Sequence, residues 1–236
     1  MLINELVHDD IRKADVLNNY QIDICCRANR PLDLACQEKG IDTKLVIEEI
    51  NQIRDDFKYS LKNTFNWSLD LIIEYILVYH HFYLWQELPK IEKLLEKLVK
   101  IHSEKHPQLI DLVKYFTSLR SETELHMANE EQTLFPYINE LLLIQEGNKK
   151  RTHTNSGSIN TTLTIMKMEH ETTANILKNI RLLCHDYNLK TYICNSHQLV
   201  LEKLKVLEMD LYQHIYLENE VLFPKALKLE KEILPR

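Results

Sequence analysis

The apolar positions of the first fifty residues recur at the spacing of short amphipathic helices. Those of the first predicted helix lie three or four residues apart: Ile3, Val7, Ile11, Ala14 and Leu17. Pro31 suits the first turn of a second helix, and Gly40 suits its C-terminal cap. Asp42 can then cap the N-terminus of a third helix. We therefore predict a small helical domain over residues 1–56, followed by a polar and aromatic linker over residues 57–66.

Four longer amphipathic segments follow this linker, at about residues 68–102, 107–144, 162–185 and 191–223. Pro89 lies inside the first segment and is expected to kink or interrupt it, because proline lacks the amide donor that a helix needs. Polar residues at 145–160 include two of the three glycines and separate the second segment from the third. The pattern predicts an all-α protein in which residues 67–236 form an up-down four-helix bundle.

Two of these segments contain the same motif, H-x3-E-x3-L-F-P, at residues 126–136 and 214–224. Residues four apart lie on one face of a helix, so each copy places an imidazole beside a carboxylate. The pairs are His126 with Glu130 and His214 with Glu218. A duplicated helix end, with proline as the stop signal, would explain the shared Phe-Pro but not the shared His and Glu. Two such pairs that face each other across a bundle predict a dinuclear metal site.

Four ligands are too few for two metals, so we expect one further histidine from each of the other two helices. A ligand must point into the bundle and should therefore lie within an apolar stripe. His80 continues the stripe of Leu69, Ile73 and Ile76, whereas His81 shares a face with Asp70 and Glu74. His170 lies with Leu163, Met166, Ala174 and Leu177. We therefore predict His80 and His170, which precede His126 and His214 by 46 and 44 residues and so indicate internal pseudo-symmetry.

Two other histidines, His102 and His197, also lie on apolar stripes and remain alternatives. A histidine in such a stripe is more often a core residue with satisfied hydrogen bonds than a ligand. Glu131 and Glu220 follow the motif carboxylates but should point about 100° and 200° away from them on a regular helix. The remaining histidines fit loops or solvated faces: His8, His106, His153 and His185.

Composition narrows the classes of protein to consider. The 236 residues include only 3 Gly and 6 Pro, which favours long helices over sheet. A net charge of −6 argues against binding to nucleic acid or to an anionic membrane surface. We find no signal peptide and no apolar run long enough to span a membrane. The five cysteines are an odd number and two are adjacent, which favours a cytoplasmic protein with reduced thiols over a disulfide framework.

Several further motifs accompany the paired repeat: Cys25-Cys26 with Leu32-x-x-Ala35-Cys36, Tyr79-His80 with Leu88-Pro89, Val99-x-x-His102, and Met168-Glu169-His170-Glu171. With these motifs the chain resembles, over nearly its whole length, the di-iron proteins that repair iron–sulfur clusters, a hemerythrin-like family. The resemblance implies a small Cys-containing domain followed by a hemerythrin-like bundle that holds two non-haem iron ions. It also implies the ligands His80, His126, His170 and His214, with Glu130 and Glu218 as bridging carboxylates.

Imidazole and carboxylate ligands suit iron, zinc or manganese, and the resemblance selects iron. It implies two non-haem Fe ions with an oxo or hydroxo bridge and an open position for O2, peroxide or NO. The expected function is repair of iron–sulfur clusters damaged by oxidative or nitrosative stress, by iron delivery or by NO chemistry, with damaged iron–sulfur proteins as partners. The alternatives are a nitric oxide or peroxide reductase and a non-enzymatic O2 or NO carrier. Whether the protein is an enzyme, and whether it forms a homodimer, stays open.

The adjacent cysteines are a candidate thiol site. Cys25 and Cys26 are unsuited to bond with each other, because the intervening peptide would be strained. Arg27 and Arg30 add positive charge that favours thiolate, so we expect a role in metal or partner contact, with ordinary buried cysteines as the alternative. The family usually reads Cys-Cys-Gly-Gly where this chain has Arg27-Ala28. Glycine permits backbone conformations with positive φ, so the departure implies a different presentation of the pair.

Overall fold

The computed structural model describes residues 1–10, 12–24, 27–53, 62–148, 159–188, 190 and 193–234. Within these ranges the chain is helical, and the β interaction that occurs is a single bridge between Leu2 and Pro31. The predicted all-α fold is confirmed. Cys25 and Cys26, the predicted thiol site, lie outside the described residues, as does the first half of the predicted linker. The second half of the linker forms a short 3₁₀ helix, Lys62–Asn66.

Four short helices form the N-terminal part: α1 (Ile3–Asp9), α2 (Lys13–Asn19), α3 (Leu32–Glu38) and α4 (Thr43–Asn51). The single first helix that the sequence predicts is in fact two helices. They separate at Asp10, whose backbone is extended and whose carboxylate accepts a hydrogen bond from the Arg12 amide at 2.9 Å. Gly40 follows α3 with a φ of +67°, and Asp42 accepts the Lys44 amide at 2.9 Å. The predicted cap of α3 and the predicted start of α4 are therefore confirmed.

The bundle consists of four long helical rods, and π-helical turns divide three of the described rods. Their α-helical parts are α5 (Leu69–Tyr75), α6 (Phe82–His102), α7 (Gln108–Asn129), α8 (Phe135–Gln145), α9 (Ile159–Leu183), α10 (Asn195–Tyr216) and α11 (Phe223–Ile233). The π turns join α5 to α6, α7 to α8, and α10 to α11: Ile76–His81, Glu130–Leu134 and Leu217–Leu222. Helix α7 packs against α6 and α9, and α10 packs against α6.

The prolines of the repeated motif do not stop their helices. Pro136 and Pro224 are each the second residue of a continuing helix, so the fourth rod extends beyond the predicted end at Phe223. A proline ring clashes with the carbonyl four residues back, and the wider π turn before each proline relieves that clash. Pro89 likewise lies inside α6, which runs through it without the predicted interruption, and Leu84 and Leu88 of the same helix are buried in the core.

The apolar core has two parts with a polar layer between them. One part lies at the end of the bundle that contains Ile72 and Phe223. The other joins bundle residues such as Leu84 and Leu204 to residues of the N-terminal helices such as Leu17. Among the described helices, none is long and apolar enough to cross a membrane. The polar layer between the two apolar parts contains the candidate metal ligands.

Candidate metal centre

Six buried side chains from all four rods meet in this polar layer: His81, His126, Glu130, His170, His214 and Glu218. Each π turn contributes one of them. His81 is the last residue of the first π turn, Glu130 the first residue of the second, and Glu218 the second residue of the third. π-Helical turns are rare and frequently mark functional sites. The local departure from α-helical geometry therefore coincides with the chemistry that the sequence predicts.

The four imidazoles form two pairs. Nε2 of His81 lies 3.3 Å from Nε2 of His214, and Nε2 of His126 lies 3.1 Å from Nε2 of His170. Two imidazole nitrogens that bind one metal at about 2.0–2.1 Å lie about 2.9–3.4 Å apart when the angle between the bonds is between square and tetrahedral. Each pair therefore has the spacing of two ligands to one metal ion.

The two carboxylates lie between these pairs. One oxygen of Glu130 is 3.3 Å from Nε2 of His81 and 3.5 Å from Nε2 of His126. Glu218 instead uses both oxygens, one 2.5 Å from Nε2 of His214 and the other 2.9 Å from Nε2 of His170. Each carboxylate therefore reaches both imidazole pairs, which is the arrangement of a bridging ligand in a two-metal site.

The environment of the carboxylates fits a cation. Glu130 and Glu218 are both 0% exposed. None of their four oxygens accepts a well-directed hydrogen bond from a described residue, although imidazole nitrogens lie within 4 Å. A buried carboxylate without donors is costly unless a cation compensates its charge. The unpartnered oxygens and the imidazole nitrogens beside them are together the ligand set that a pair of divalent or trivalent metal ions requires.

The structure brings five of the six predicted residues together in this cluster, and the histidine of the first rod that lies with them is His81 rather than the predicted His80. Nδ1 of His80 instead lies 3.0 Å from a carboxylate oxygen of Asp210. The prediction assumed a regular α-helix up to His80. The π turn Ile76–His81 adds a residue to the turn, as shown by Phe82, whose amide donates to the Leu77 carbonyl five residues back. The face that points into the bundle is therefore displaced by one residue.

Three of the imidazoles are held from behind through Nδ1. Nδ1 of His81 lies 2.8 Å from Glu131, and Nδ1 of His126 lies 2.8 Å from Glu169. Nδ1 of His170 lies 3.1 Å from the amide oxygen of Asn219. An acceptor at Nδ1 keeps the proton there and leaves the Nε2 lone pair free to bind a metal. Sequence reasoning missed these partners, although two of them, Glu131 and Asn219, directly follow Glu130 and Glu218.

Comparison with known proteins agrees with this geometry. Residues 73–226 match the family described as "Hemerythrin HHE cation binding domain". The chain belongs to the hemerythrin HHE family. Residues 1–54 match a second family, described as "Domain of Unknown function (DUF542)". The resemblance that the sequence motifs indicate is thereby confirmed, and so is metal binding of the hemerythrin kind as the property of the bundle.

Relatives of this hemerythrin HHE protein share its full length. The iron-sulfur cluster repair protein ScdA of Staphylococcus haemolyticus is 28% identical over 224 residues, which cover 95% of this chain and 96% of the relative. The iron-sulfur cluster repair protein YtfE of Enterobacter sp. (strain 638) is 28% identical over 225 residues, with the same coverage of 95% and 96%. YtfE of Escherichia coli O8 (strain IAI1) is also 28% identical over 225 residues.

The carboxylates and imidazoles of the hemerythrin HHE site shift each other's pKa. Burial lowers the pKa of His81 and His126, but Glu130 and the other nearby carboxylates more than offset it, and both pKa values are raised. Burial lowers the pKa of His214 to about 3, despite the opposing effect of Glu218. Burial and the charge of Glu218 raise the pKa of Glu130. The nearby carboxylates therefore favour the protonated forms of His81 and His126.

The other candidate residues lie outside the cluster. His197 accepts the Ile193 amide at Nδ1 over 3.1 Å, and burial lowers its pKa, as expected for a core histidine. His102 is half-buried near the end of α6. Glu220 lies close to the side-chain amides of Asn4, at 3.4 Å, and Asn29, at 3.2 Å. It therefore connects the turn that carries Glu218 to the N-terminal helices.

Proposed function

We propose that the chain binds two iron ions, one at His81 and His214 and one at His126 and His170, with Glu130 and Glu218 bridging them. The observation that carries this proposal is the position of two fully buried carboxylates between two imidazole pairs with ligand spacing. The donor set also suits zinc and manganese. The match to the hemerythrin HHE family favours iron.

The function that we infer for this site is repair of damaged iron–sulfur clusters, with the bundle as a source of iron or as a site for nitric oxide. The names of the full-length relatives support this inference. Two iron ions joined by an oxo or hydroxo bridge would supply redox chemistry and a position for NO, O2 or peroxide. The protein's own residues hold the ions in a buried layer, fix the imidazole tautomers through Glu131, Glu169 and Asn219, and exclude bulk water.

The first test is metal analysis of protein purified from iron-replete cells, together with its absorption spectrum. We expect about two Fe per chain and near-ultraviolet charge-transfer bands in the oxidised form. Replacement of His170 by Gln should lower the iron content, whereas His102→Gln should not, since His102 lies outside the cluster. Native material that holds zinc in stoichiometric amount and no iron would refute the proposal.

The second test is transfer to a client. The iron-loaded protein is incubated with an enzyme whose [4Fe–4S] cluster has been damaged by NO, and recovery of that enzyme's activity is followed. Iron labelled with ⁵⁷Fe shows whether the restored cluster contains iron from this protein. Recovery without transferred label, together with consumption of NO in the presence of a reductant, would favour a nitric oxide reductase instead.

A further inference from the structure

The first two rods and the last two rods each contribute one half of the site, and the two halves have equivalent outer hydrogen bonds. The acceptor of that hydrogen bond is charged in the first half and neutral in the second. In each half, the residue directly after the bridging glutamate contacts Nδ1 of the histidine from the preceding rod. In the first half this residue is Glu131, which lies 2.8 Å from Nδ1 of His81. In the second half it is Asn219, which lies 3.1 Å from Nδ1 of His170. A carboxylate is the stronger acceptor of the two, so the first half depends on the placement of a charged group.

A tryptophan contacts this charged group. The indole N–H of Trp85 donates to Oε1 of Glu131 over 3.3 Å, and the same oxygen is the one that Nδ1 of His81 contacts. Trp85 is the fourth residue after His81. The corresponding residue after His170 is Ala174, whose side chain has no donor. The indole contact is therefore a feature of the first half that the equivalent position of the second half does not reproduce.

Exposure explains why Glu131 needs a second donor. The Glu131 side chain is 35% exposed, and Trp85 is 39% exposed, whereas His81 is 1% exposed. A glutamate at the surface gains side-chain entropy and hydration when it turns toward water. A second donor on the same oxygen favours the conformation in which Glu131 faces His81. Trp85 thus lies at the surface end of a chain of two hydrogen bonds that leads to a buried metal ligand.

We propose that Trp85 is a positioning residue, which holds Glu131 against His81. It thereby determines how tightly the metal ion between His81 and His214 is retained. This inference rests on the proposed function, because it requires that position to hold an ion. It assigns Trp85 no contact with the metal. Its effect passes through Glu131, so it must disappear when Glu131 can no longer accept the two hydrogen bonds.

The experiment measures release of iron from the loaded protein into excess chelator, followed by the absorbance of the iron–chelator complex. Loss of an outer hydrogen-bond partner typically weakens metal retention about 10- to 100-fold, and we expect this for Glu131→Leu, which removes the acceptor, at one of the two ions. Trp85→Phe keeps an aromatic ring and removes only the donor, so we expect faster release of the same ion by about 3- to 10-fold. Trp67→Phe is the matched control, since the indole of Trp67 packs on Tyr75 and should not affect release.

The double variant Trp85→Phe with Glu131→Leu distinguishes positioning from a general loss of structure, because leucine cannot accept either hydrogen bond. If Trp85 acts through Glu131, the double variant releases iron at the rate of Glu131→Leu alone. Multiplied effects in the double variant, or release from Trp85→Phe at the wild-type rate, would overturn the inference while the proposed function stands. A wild-type protein that binds no iron would instead refute the proposed function itself, and the inference with it.

A spectroscopic measurement gives an independent readout. In the iron-loaded protein the Nδ1 protons of ligand histidines give shifted NMR signals that exchange slowly when they are hydrogen-bonded and protected. We expect Trp85→Phe to speed exchange of the His81 Nδ1 proton with solvent and to leave that of His126, which faces Glu169, unchanged. Equal exchange rates in wild type and variant would also overturn the inference.

Discussion

The ring of Phe223 lies nearly parallel to the imidazole of His170, with ring centroids 5.8 Å apart and planes inclined by 6°. Phe135 has the same relation to His81, with centroids 5.7 Å apart and an angle of 28°. In both copies of the repeated motif, the phenylalanine therefore packs on the histidine that the preceding rod contributes. The phenylalanine of the Leu-Phe-Pro segment, which directly follows a π turn in each copy, thus packs against a candidate ligand.

Replacing Phe223 by Ala should destabilise the fold and loosen the site together. Phe223 is fully buried, and loss of a buried phenylalanine costs about 3–5 kcal/mol in the free energy of unfolding. Phe82→Ala is the control, because Phe82 is 66% exposed and a surface change costs at most about 0.5 kcal/mol. Denaturant unfolding of both variants measures the difference. Equal free energies of unfolding would show that the packing on His170 contributes little.

The choice between His80 and His81 can be tested with one pair of variants. His81→Gln should lower the iron content from about two to about one per chain or less, because it removes one of the two imidazoles that are proposed to bind the first iron ion. His80→Gln should keep both ions, since glutamine can still donate a hydrogen bond to Asp210. Metal analysis of both proteins decides the matter. Loss of iron in His80→Gln alone would restore the prediction that a regular helix makes.

This pair of residues also shows how far sequence reasoning reaches. Hydrophobic spacing predicted the helices, and the repeated motif predicted Glu130 and Glu218, because both depend on local patterns. The sequence favoured His80 on the assumption of a regular α-helix, whereas the π turn Ile76–His81 changes the phase of the helix and brings His81 to the cluster. The spacing did favour His81 slightly. His81 precedes His126 by 45 residues and His80 precedes it by 46, whereas His170 precedes His214 by 44.

The hydrogen bonds to Nδ1 of the clustered histidines, and the contact of Trp85 with Glu131, were harder to predict from the sequence. Glu131 and Asn219 occupy equivalent positions after the bridging glutamates, so comparison of the two motif copies could have indicated them. Glu169 and Trp85 offer no such clue, because each reaches the site from another rod through side-chain length and orientation. Those contacts depend on the three-dimensional arrangement of the rods, which periodicity does not specify.

Metal should contribute to stability through Glu218 but not through Glu220. A ligand that binds only the folded protein stabilises it by about 2.7 kcal/mol when its free concentration is 100 times its Kd. Glu218→Gln should remove this metal-dependent part, since Glu218 lies between the two imidazole pairs. Glu220→Gln should preserve it, because Glu220 faces Asn4 and Asn29. Thermal unfolding with iron(II) and with chelator tests both variants, and an identical response from the two would contradict the assignment.

Metal binding should release protons, and its affinity should fall in acid. Burial lowers the pKa of His81 and His126, but nearby carboxylates raise both above the ordinary value near 6.5, so in the metal-free protein these imidazoles keep their protons to a higher pH than an ordinary histidine. A metal must displace those protons, and we expect release of roughly one to two protons per chain near neutral pH. Calorimetry in two buffers with different ionisation enthalpies measures the number. Binding without proton release would show that the two imidazoles are neutral beforehand.

The same shifts give the metal-free protein a defined pH dependence. A histidine whose pKa is higher in the folded state than in the unfolded state stabilises the fold when protonated. For His81 and His126 this contribution is fully present below about pH 6.5 and is lost as the pH rises through their folded pKa values. The metal-free protein should therefore lose more stability between neutral and mildly alkaline pH than the iron-loaded protein, in which metal replaces the protons. Parallel unfolding curves for the two forms would contradict this.

The cysteine pair should be dispensable for iron binding and needed for repair. Cys25 and Cys26 lie outside the described residues, so their role remains a prediction from the sequence. The other thiols are poor candidates for chemistry: Cys36 and Cys184 are buried, Cys194 is half-buried, and burial raises the pKa of Cys184 to about 12. Alkylation of the native protein should therefore modify the pair first, which mass spectrometry of the labelled peptides can show.

The double variant Cys25→Ser with Cys26→Ser should fold and bind about two iron ions, because all six candidate ligands lie in the bundle. We expect it to lose recovery of the damaged client enzyme and protection of cells exposed to NO, since a thiol pair flanked by Arg27 and Arg30 suits transfer of metal or contact with a partner. Cys194→Ser is the matched control and should retain both activities. Full repair by the double variant would contradict this prediction and would show that the N-terminal helices contribute only by packing against the bundle. Asn4 and Asn29 already make such contacts, with Glu220.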